Sequence, residues 1–196
     1  RMKKIPTLFK RIYEGRKIVG ITSEVREGLE EVLERGVATL KWDGSCCAIF
    51  DGVFYKRYDA KNGKNPPPGA IPCCDPDPVT GHWPHWVKVD PENPADKWFV
   101  CAFQNTFSGF VKRDTTNAIP DGTFEAIGPH FQGNPHKEIC DMLIRHGCDV
   151  LHVPNTFEGI RDYLQTHEIE GLVFWLDGEP KAKIKRSDFG LPWKKE

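Results

Sequence analysis

The chain has 196 residues, of which 39% are hydrophobic and 28% charged, and its net charge is −1. This composition is ordinary for a soluble globular domain, and it excludes a basic field over the whole surface that would attract nucleic acid. No apolar run is long enough for a membrane-spanning helix, and no signal peptide is evident, so we expect a cytoplasmic protein with no membrane contact and seven reduced cysteines.

The first part of the chain is predicted to be helical. Four apolar residues near the start have the spacing of one face of a short helix: Leu8, Phe9, Ile12 and Tyr13. A second helix is predicted from Ser23, and Gly36 can end it. Basic residues cluster near both ends of the chain, where we expect local phosphate contacts: Lys3, Lys4, Lys10, Arg11, Arg16, Lys17, Lys181, Lys183, Lys185, Arg186, Lys194 and Lys195.

Residues 37–61 carry the most informative chemistry. A short apolar run ends at Lys41, and the chain then forms two further apolar runs joined by Asp51 and Gly52. An Asp-Gly pair between such runs predicts a β-hairpin. We therefore expect Lys41 at the edge of a sheet, facing a pocket, with Gly44 in a tight or left-handed backbone conformation.

Residues 62–97 contain nine prolines. This density excludes a helix and disfavours central strands, so we predict a long ordered loop inserted into the domain. Trp83 and Trp86 argue for order, either because they stack an unpaired base or because they anchor the loop.

Cysteines and histidines of the insertion raise a second question. Four of its side chains are of the types that bind zinc: Cys73, Cys74, His82 and His85. Adjacent cysteines make an awkward ligand pair, so a plain ordered loop is the alternative. On the preceding predicted strand, we expect Cys46 and Cys47 to supply one small core residue and one solvent-facing thiol.

The second half of the chain mixes strands and helices. Strands are predicted over 98–104, 122–128, 171–176 and 180–185, and helices over 134–147 and from Thr156 onward. Because these elements have no βαβ rhythm, the sequence predicts an α+β fold of antiparallel sheets flanked by helices. We expect a single domain over residues 1–196, with the insertion at about 62–97.

Four short motifs place charged residues on the predicted strands. In chain order they are Lys41-Trp42-Asp43-Gly44, Phe124-Glu125-Ala126-Ile127-Gly128, Glu170-Gly171-Leu172-Val173-Phe174 and Lys183-Ile184-Lys185. In this order they resemble the first, third, fourth and fifth motifs of the covalent nucleotidyltransferases, the superfamily of ATP-dependent ligases and mRNA capping enzymes. The resemblance covers residues 37 to about 190 and implies a nucleotidyltransferase (ATP-grasp-like) fold.

The resemblance also implies a role for each motif. Lys41 is the expected nucleophile, which attacks the α-phosphate of a nucleotide and forms a phosphoramidate. The remaining expected nucleotide contacts are Asp43, Gly44, Arg57, Lys61, Glu125, Glu170, Lys183 and Lys185. Mg²⁺ or Mn²⁺ is expected near Asp43, Glu125 and Glu170, held mainly through water.

Within the superfamily, the sequence favours the RNA ligases. Only residues 186–196 follow the last motif, so we expect no C-terminal oligonucleotide-binding barrel. Residues 76–84 resemble a Pro-Asp-Pro-x-Thr-Gly-His-Trp-Pro segment of a small group of RNA ligases found in animals, microbes and viruses, and residues 187–190 fit the same group.

The predicted function is ATP-dependent ligation of RNA. The enzyme would join a 5′-phosphate to a 3′-hydroxyl end through lysyl-AMP and then adenylylated RNA, with Arg57 and Lys61 among the contacts to RNA phosphates. A capping-type guanylyltransferase is one alternative. A nucleotide- or RNA-end-binding protein without turnover is another. The sequence leaves the RNA substrate and the oligomeric state open.

Overall fold

The computed structural model describes residues 4–108 and 119–193. This part of the chain contains eleven strands and three α-helices, and all pairs between the strands are antiparallel, which confirms the predicted α+β fold. None of these helices has the length and apolar character needed to cross a membrane. The strands are β1 (Phe9–Glu14), β2 (Lys17–Val25), β3 (Val37–Lys41), β4 (Ser45–Phe50), β5 (Val53–Asp59), β6 (Ile71–Pro72), β7 (Pro84–Lys88), β8 (Gly122–Ile127), β9 (Met142–Arg145), β10 (Gly171–Leu176) and β11 (Glu179–Lys185). The helices are α1 (Glu30–Arg35), α2 (Lys97–Phe107) and α3 (Phe157–Thr166).

The chain divides into two compact units. The terminal unit contains residues 5–42 and 147–193, and the central unit contains Lys4 together with residues 43–108 and 119–146. Each unit is a group of residues that lie close together in space, and such a group need not be a separate domain. The single domain over residues 1–196 stays a prediction.

Three strands in the order β11-β10-β3 form the main sheet of the terminal unit. Successive side chains of a strand point to opposite faces, and Leu172, Phe174 and Ile184 are buried on one face. Strand β1, the residue before it and the helices α1 and α3 contribute further apolar residues to this core: Leu8, Phe9, Val32, Ile160 and Leu164.

The start of α3 follows the sequence signal. Thr156 is the N-cap, and its Oγ1 accepts a hydrogen bond from the N–H of Gly159 at 3.0 Å. Ile160 and Leu164, one helical turn apart, are fully buried. This predicted helix is confirmed, as are the strands predicted at 122–128, 171–176 and 180–185.

Six strands in the order β6-β7-β5-β4-β8-β9 form the sheet of the central unit. The predicted hairpin is confirmed: β4 and β5 are joined by Asp51 and Gly52, whose φ angles are 50° and 75°. Both angles suit a tight hairpin turn. One face of the sheet packs with α2 through Cys47, Ile49, Phe124, Ala126 and Leu143. The other face carries Cys46, Ala48, Cys73 and Trp86.

The N-terminal helix prediction is wrong. Residues around Phe9 form β1, which turns at Gly15 (φ 61°) and pairs with β2. The apolar residues that suggested one helical face are distributed along an extended strand. The helix predicted from Ser23 is also shorter than expected, because β2 runs to Val25 and only α1 is helical before Gly36, where the helix ends as predicted.

The strand predicted at 98–104 is wrong, because these residues lie inside α2. Asn93 Oδ1 accepts the N–H of Ala95 at 3.0 Å, and Pro94 starts the short 3-10 turn that leads into the helix. The inward residues have the i, i+3, i+4, i+8 spacing of one helix face: Phe99, Ala102, Phe103 and Phe107. A continuous apolar run hid this helical period.

The helix predicted at 134–147 is also wrong. Asn134 has φ of 54° and Lys137 has φ of 53°, which no α-helix allows. The Asn134 side chain bonds both the N–H and the carbonyl of Glu138 at 3.0 Å, so it closes a loop and does not cap a helix. Ile139, expected to face inward, is 96% exposed. The segment ends in β9.

The proline-rich segment at 62–97 is ordered but includes paired strands. β7 lies between β5 and β6, so one internal strand forms here although the prolines disfavour central strands. Pro84 occupies the first position of β7 and Pro72 lies in the two-residue edge strand β6. These are the positions where the missing N–H of proline is tolerated.

Gly171 offers a test of the terminal sheet. A Cβ at this position would lie 2.2 Å from the backbone oxygen of Ile184. Gly171→Ala should therefore force strand β10 from β11 and lower the free energy of unfolding by about 1–3 kcal/mol. Urea unfolding of wild type and variant measures the change. Gly20→Ala is the matched control, because its nearest neighbour would be Ile12 Cδ1 at 3.9 Å. Equal losses in both variants would contradict this packing.

Candidate active site

Lys41, the predicted nucleophile, is the last residue of β3 and forms a half-buried ion pair. Its Nζ lies 2.9 Å from Oε2 of Glu170, the residue that precedes β10. The two side chains are 24% and 15% exposed, so solvent screens this pair less than an open surface pair. The structure thus brings the lysine of the first motif into direct contact with the glutamate of the fourth.

Two further lysines lie on the same face of the terminal sheet. Gly171 on β10 is opposite Lys41 of β3 on one side and opposite Lys185 of β11 on the other. Val173 is opposite Lys183. Opposed residues of an antiparallel sheet point to the same face, and neighbouring strands lie about 4.8 Å apart. Lys41 and Lys185 therefore lie on either side of Gly171, on one face of the sheet.

Asp149 fixes the chain on both sides of Lys41. Its Oδ2 accepts the indole N–H of Trp42 at 2.9 Å, and its backbone oxygen accepts the N–H of Leu40 at 2.9 Å. Both bonds lie inside the terminal unit. Sequence reasoning missed Asp149, because it lies in a loop more than 100 residues from the residues that it positions.

Asp43, in the central unit, is buried and its backbone is held by a histidine. The N–H of Asp43 donates to Nε2 of His136 at 2.9 Å. This bond requires a neutral imidazole with its proton on Nδ1. Burial lowers the pKa of His136, although the nearby carboxylates of Asp43 and Glu138 act in the opposite direction. Sequence reasoning missed His136 as well, since it placed that residue in a helix.

Gly44 is required by close approach and not by an unusual turn. A Cβ on Gly44 would lie 2.0 Å from the backbone oxygen of Ala126 on β8. Its φ is not in the positive range, so of the two expected conformations, tight or left-handed, the left-handed one is excluded. The last residue of the Lys-x-Asp-Gly motif therefore lets β4 begin directly against the strand that carries Glu125.

Glu125 lies on β8 of the central unit with most of its side chain buried. Its Oε2 is 2.7 Å from Nε2 of His146, and Nδ1 of the same ring is 2.9 Å from Oγ1 of Thr123. Thr123 and Glu125 are two residues apart on one strand and so face the same side. The carboxylate is held in one orientation by a histidine that sequence reasoning did not identify.

Arg57 and Lys61 are exposed residues of the central unit. Arg57 lies on β5 opposite Trp86 of β7, and Lys61 follows the end of β5. Their cationic groups are accessible to a phosphate. Their expected roles, and those of the other site residues, stay predictions.

Both histidines of the potential zinc set are engaged in other hydrogen bonds, and one of the cysteines is buried as a thiol. Burial raises the pKa of the Cys73 thiol to about 11, the ring of His82 bonds the carboxylate of Asp59, and Nδ1 of His85 donates to the backbone oxygen of Trp83 at 2.8 Å. Among the described residues, no group of three or more potential metal ligands includes any of the four. These observations favour the ordered-loop alternative.

The tryptophans of the insertion anchor their own segment. Trp86 is 4% exposed and packs with Cys46, Ala48 and Cys73. The indole N–H of Trp83 donates to the backbone oxygen of Cys74 at 3.0 Å. Cys46 and Cys47 are both buried, so the expected solvent-facing thiol is wrong.

Comparison with known proteins gives a distant relationship to an RNA ligase. The chain matches no profile of a known protein family. It is similar to RNA ligase 1 of Danio rerio, with 29% identity over 140 residues. The match covers 58% of this chain and 42% of that protein, so the chain corresponds to less than half of its relative.

The hydrogen bond from Asp43 to His136 predicts a pH dependence of stability. The pKa of His136 is lowered in the folded state, so its contribution to stability is complete above about pH 6.5 and is lost as the pH falls through the folded-state pKa. His136→Gln keeps an acceptor but cannot titrate. Below pH 6.5, urea unfolding should show a steeper loss of stability for wild type than for this variant.

The exposed His152, changed to Gln in the same way, controls for the removal of one histidine. Superimposable pH profiles of wild type and His136→Gln would show that this hydrogen bond does not depend on a neutral ring.

Proposed function

We propose that this protein is an ATP-dependent RNA ligase that forms a lysyl-AMP intermediate on Lys41. The observation that carries the proposal is the face of the terminal sheet on which Lys41, Lys183 and Lys185 lie together, with Glu170 bonded to the candidate nucleophile. The similarity to RNA ligase 1 supports the ligase class. The lysyl-AMP chemistry rests on the motifs and on this arrangement.

In the first step, Lys41 Nζ attacks the α-phosphorus of ATP. A P–N bond forms, the bond from the α-phosphorus to the bridging oxygen breaks, and pyrophosphate leaves. The amine must lose a proton to be a nucleophile, and the Glu170 carboxylate at 2.9 Å is within reach to accept it. Lys183 and Lys185 then stabilise the charge that develops on the α-phosphate oxygens.

From the resemblance of the motifs to those of the covalent nucleotidyltransferases, the proposed metal is Mg²⁺ or Mn²⁺, and the residues that would hold it are Asp43, Glu125 and Glu170. All three offer carboxylate oxygens, which are the ligands that these hard cations prefer. A bound cation would neutralise charge on the phosphates. By the same resemblance, Glu125 binds the ribose of the nucleotide.

The later steps transfer AMP to the RNA and seal the ends. The 5′-phosphate of the RNA attacks lysyl-AMP and forms a 5′-5′ pyrophosphate linkage, and a 3′-hydroxyl then attacks the RNA phosphorus and releases AMP. The exposed cations of Arg57 and Lys61 are proposed to bind the RNA phosphates, Arg57 through a bidentate fork. We also propose that the protein belongs to the small group of RNA ligases with the Pro-Asp-Pro-x-Thr-Gly-His-Trp-Pro segment. Its proposed location is the cytoplasm.

Lys41 provides the direct test. After incubation with ATP and Mg²⁺, intact mass should show one AMP adduct on wild type and none on Lys41→Arg. Arginine keeps a cation beside Glu170 but stays protonated and is no nucleophile. Peptide mapping should place the adduct on Lys41, and 5′-phosphorylated RNA should remove it. An adduct that persists in Lys41→Arg would refute the proposal.

Incubation with GTP separates the enzyme classes. A ligase should form an adduct with ATP, whereas a guanylyltransferase should form one with GTP. A protein that binds either nucleotide without any adduct belongs to the non-catalytic alternative.

Strand β11 supplies a matched set of lysines. Lys183 and Lys185 flank the buried Ile184 and so share one face, and Lys181 lies where the register of β11 against β10 shifts. Lys183→Ala and Lys185→Ala should each slow adduct formation by about 10²–10³, the usual loss for one electrostatic contact to the transition state. Single-turnover mass spectrometry measures the rates.

Lys181→Ala is the control, because Lys181 pairs with Glu179 at 2.8 Å at the start of the strand. Equal rates in all three variants would mean that β11 does not contact the α-phosphate.

A further inference from the structure

Three potential metal ligands of different chemistry converge in the central unit. The Sγ of Cys46, a carboxylate oxygen of Glu125 and a ring nitrogen of His146 all lie within 4.8 Å of one another. No other such group of three or more is found among residues 4–108 and 119–193. Cys46 is buried, and the other two side chains are partly buried.

The sheet of the central unit explains why these side chains meet. Cys46 on β4 is directly opposite Glu125 on β8, so both point to one face. Glu125 is in turn opposite Ile144 on β9, and His146 is two residues beyond Ile144. The adjacent residues Cys47 and Phe124 point to the other face and fill the apolar core there.

A thiolate, an imidazole and a carboxylate form the ligand set of a zinc site with one open position. Tetrahedral zinc with ordinary bond lengths places its ligand atoms about 3.3–3.6 Å apart. His146 Nε2 and Glu125 Oε2, now 2.7 Å apart, need to separate by only about 0.6 Å to reach that spacing.

Thr123 is not one of the three potential ligands, but it contacts the ring of His146. Its Oγ1 lies 2.9 Å from Nδ1 of His146. When Nε2 binds a metal, Nδ1 carries the proton and donates it to a hydrogen bond, and Thr123 Oγ1 is placed to accept it. The ring nitrogen that faces Glu125 is therefore the one available as a ligand.

We infer that Cys46, Glu125 and His146 bind Zn²⁺, and that bound zinc excludes the nucleotide by occupying Glu125. The first part rests on the geometry of the cluster alone. The second part rests on the proposed function, in which Glu125 binds the ribose. Mg²⁺ binds this set of three ligands weakly, because a thiolate and an imidazole select zinc over a hard cation.

Cobalt substitution tests the site without any activity measurement. The protein is stripped with a chelator and titrated with Co²⁺ in excess Mg²⁺. Wild type should develop the thiolate-to-cobalt charge-transfer band and the visible bands of tetrahedral Co²⁺, and Zn²⁺ should bleach them. Cys46→Ser should lose the charge-transfer band, and His146→Gln should weaken Co²⁺ binding by at least about 10-fold.

The exposed Cys140 supplies the control, and Cys140→Ser should keep the wild-type spectrum. Circular dichroism checks that each variant is folded. Absence of the charge-transfer band in wild type, or its persistence in folded Cys46→Ser, would overturn the zinc site.

Formation of the AMP adduct tests the competition. Zn²⁺ should inhibit adduct formation in wild type, and Cys46→Ser should need at least about 10-fold more Zn²⁺ for the same inhibition. A cobalt spectrum with adduct formation that zinc does not affect would overturn the competition with nucleotide. A cobalt spectrum in a protein that forms no adduct even without zinc would refute the proposed function and leave the metal site established.

Discussion

The hydrogen-bonded register of β3, β10 and β11 is the constraint that places Lys41, Lys183 and Lys185 on one face of the terminal sheet. Because side chains alternate along a strand, a slip of one residue would move all the side chains of one face to the opposite face. In the observed register Leu172 and Ile184 enter the core, and Lys183 and Lys185 point away from it. Burial of these apolar side chains therefore fixes the register that places the two lysines on the opposite face. Gly171, which accepts no Cβ, keeps β10 and β11 close enough for this pairing.

The same coupling of packing and chemistry is present in the central unit. Gly44 allows the chain to run against the backbone of Ala126, and the residue before Ala126 is Glu125. A motif glycine that looked like a turn residue thus sets how closely two strands approach. Asp43 is positioned separately, through its backbone bond to His136. Close packing at a glycine and a bond to the backbone thus position two of the motif residues in this unit.

Local signals decided how much could be predicted from the sequence. The hairpin at Asp51, the cap at Thr156 and the strands that carry Glu125 and Lys183 follow from turn chemistry and side-chain period. The predictions failed where the same residues suit two kinds of backbone structure. Residues 98–103 are all apolar, so no helical period is visible in that run. Asn134 and Pro135 open a helix elsewhere, but here the Asn134 side chain closes a loop. His136, His146 and Asp149 act through strand pairing and loop geometry that no local pattern records.

Glu125 belongs to two proposed sets of metal ligands, and the chemistry of the two sets differs. With the carboxylates proposed for Mg²⁺, it belongs to an all-oxygen set that keeps its water and exchanges readily. With Cys46 and His146 it belongs to a set whose softer ligands hold zinc through direct bonds. A carboxylate bound to zinc has fewer lone pairs for a ribose hydroxyl or for metal-bound water. His146 also changes partner, because its bond to Glu125 is replaced by one to the metal while Thr123 keeps the ring in place. The orientation proposed to suit Glu125 to a nucleotide is thus produced by the same histidine that would hold a soft metal beside it.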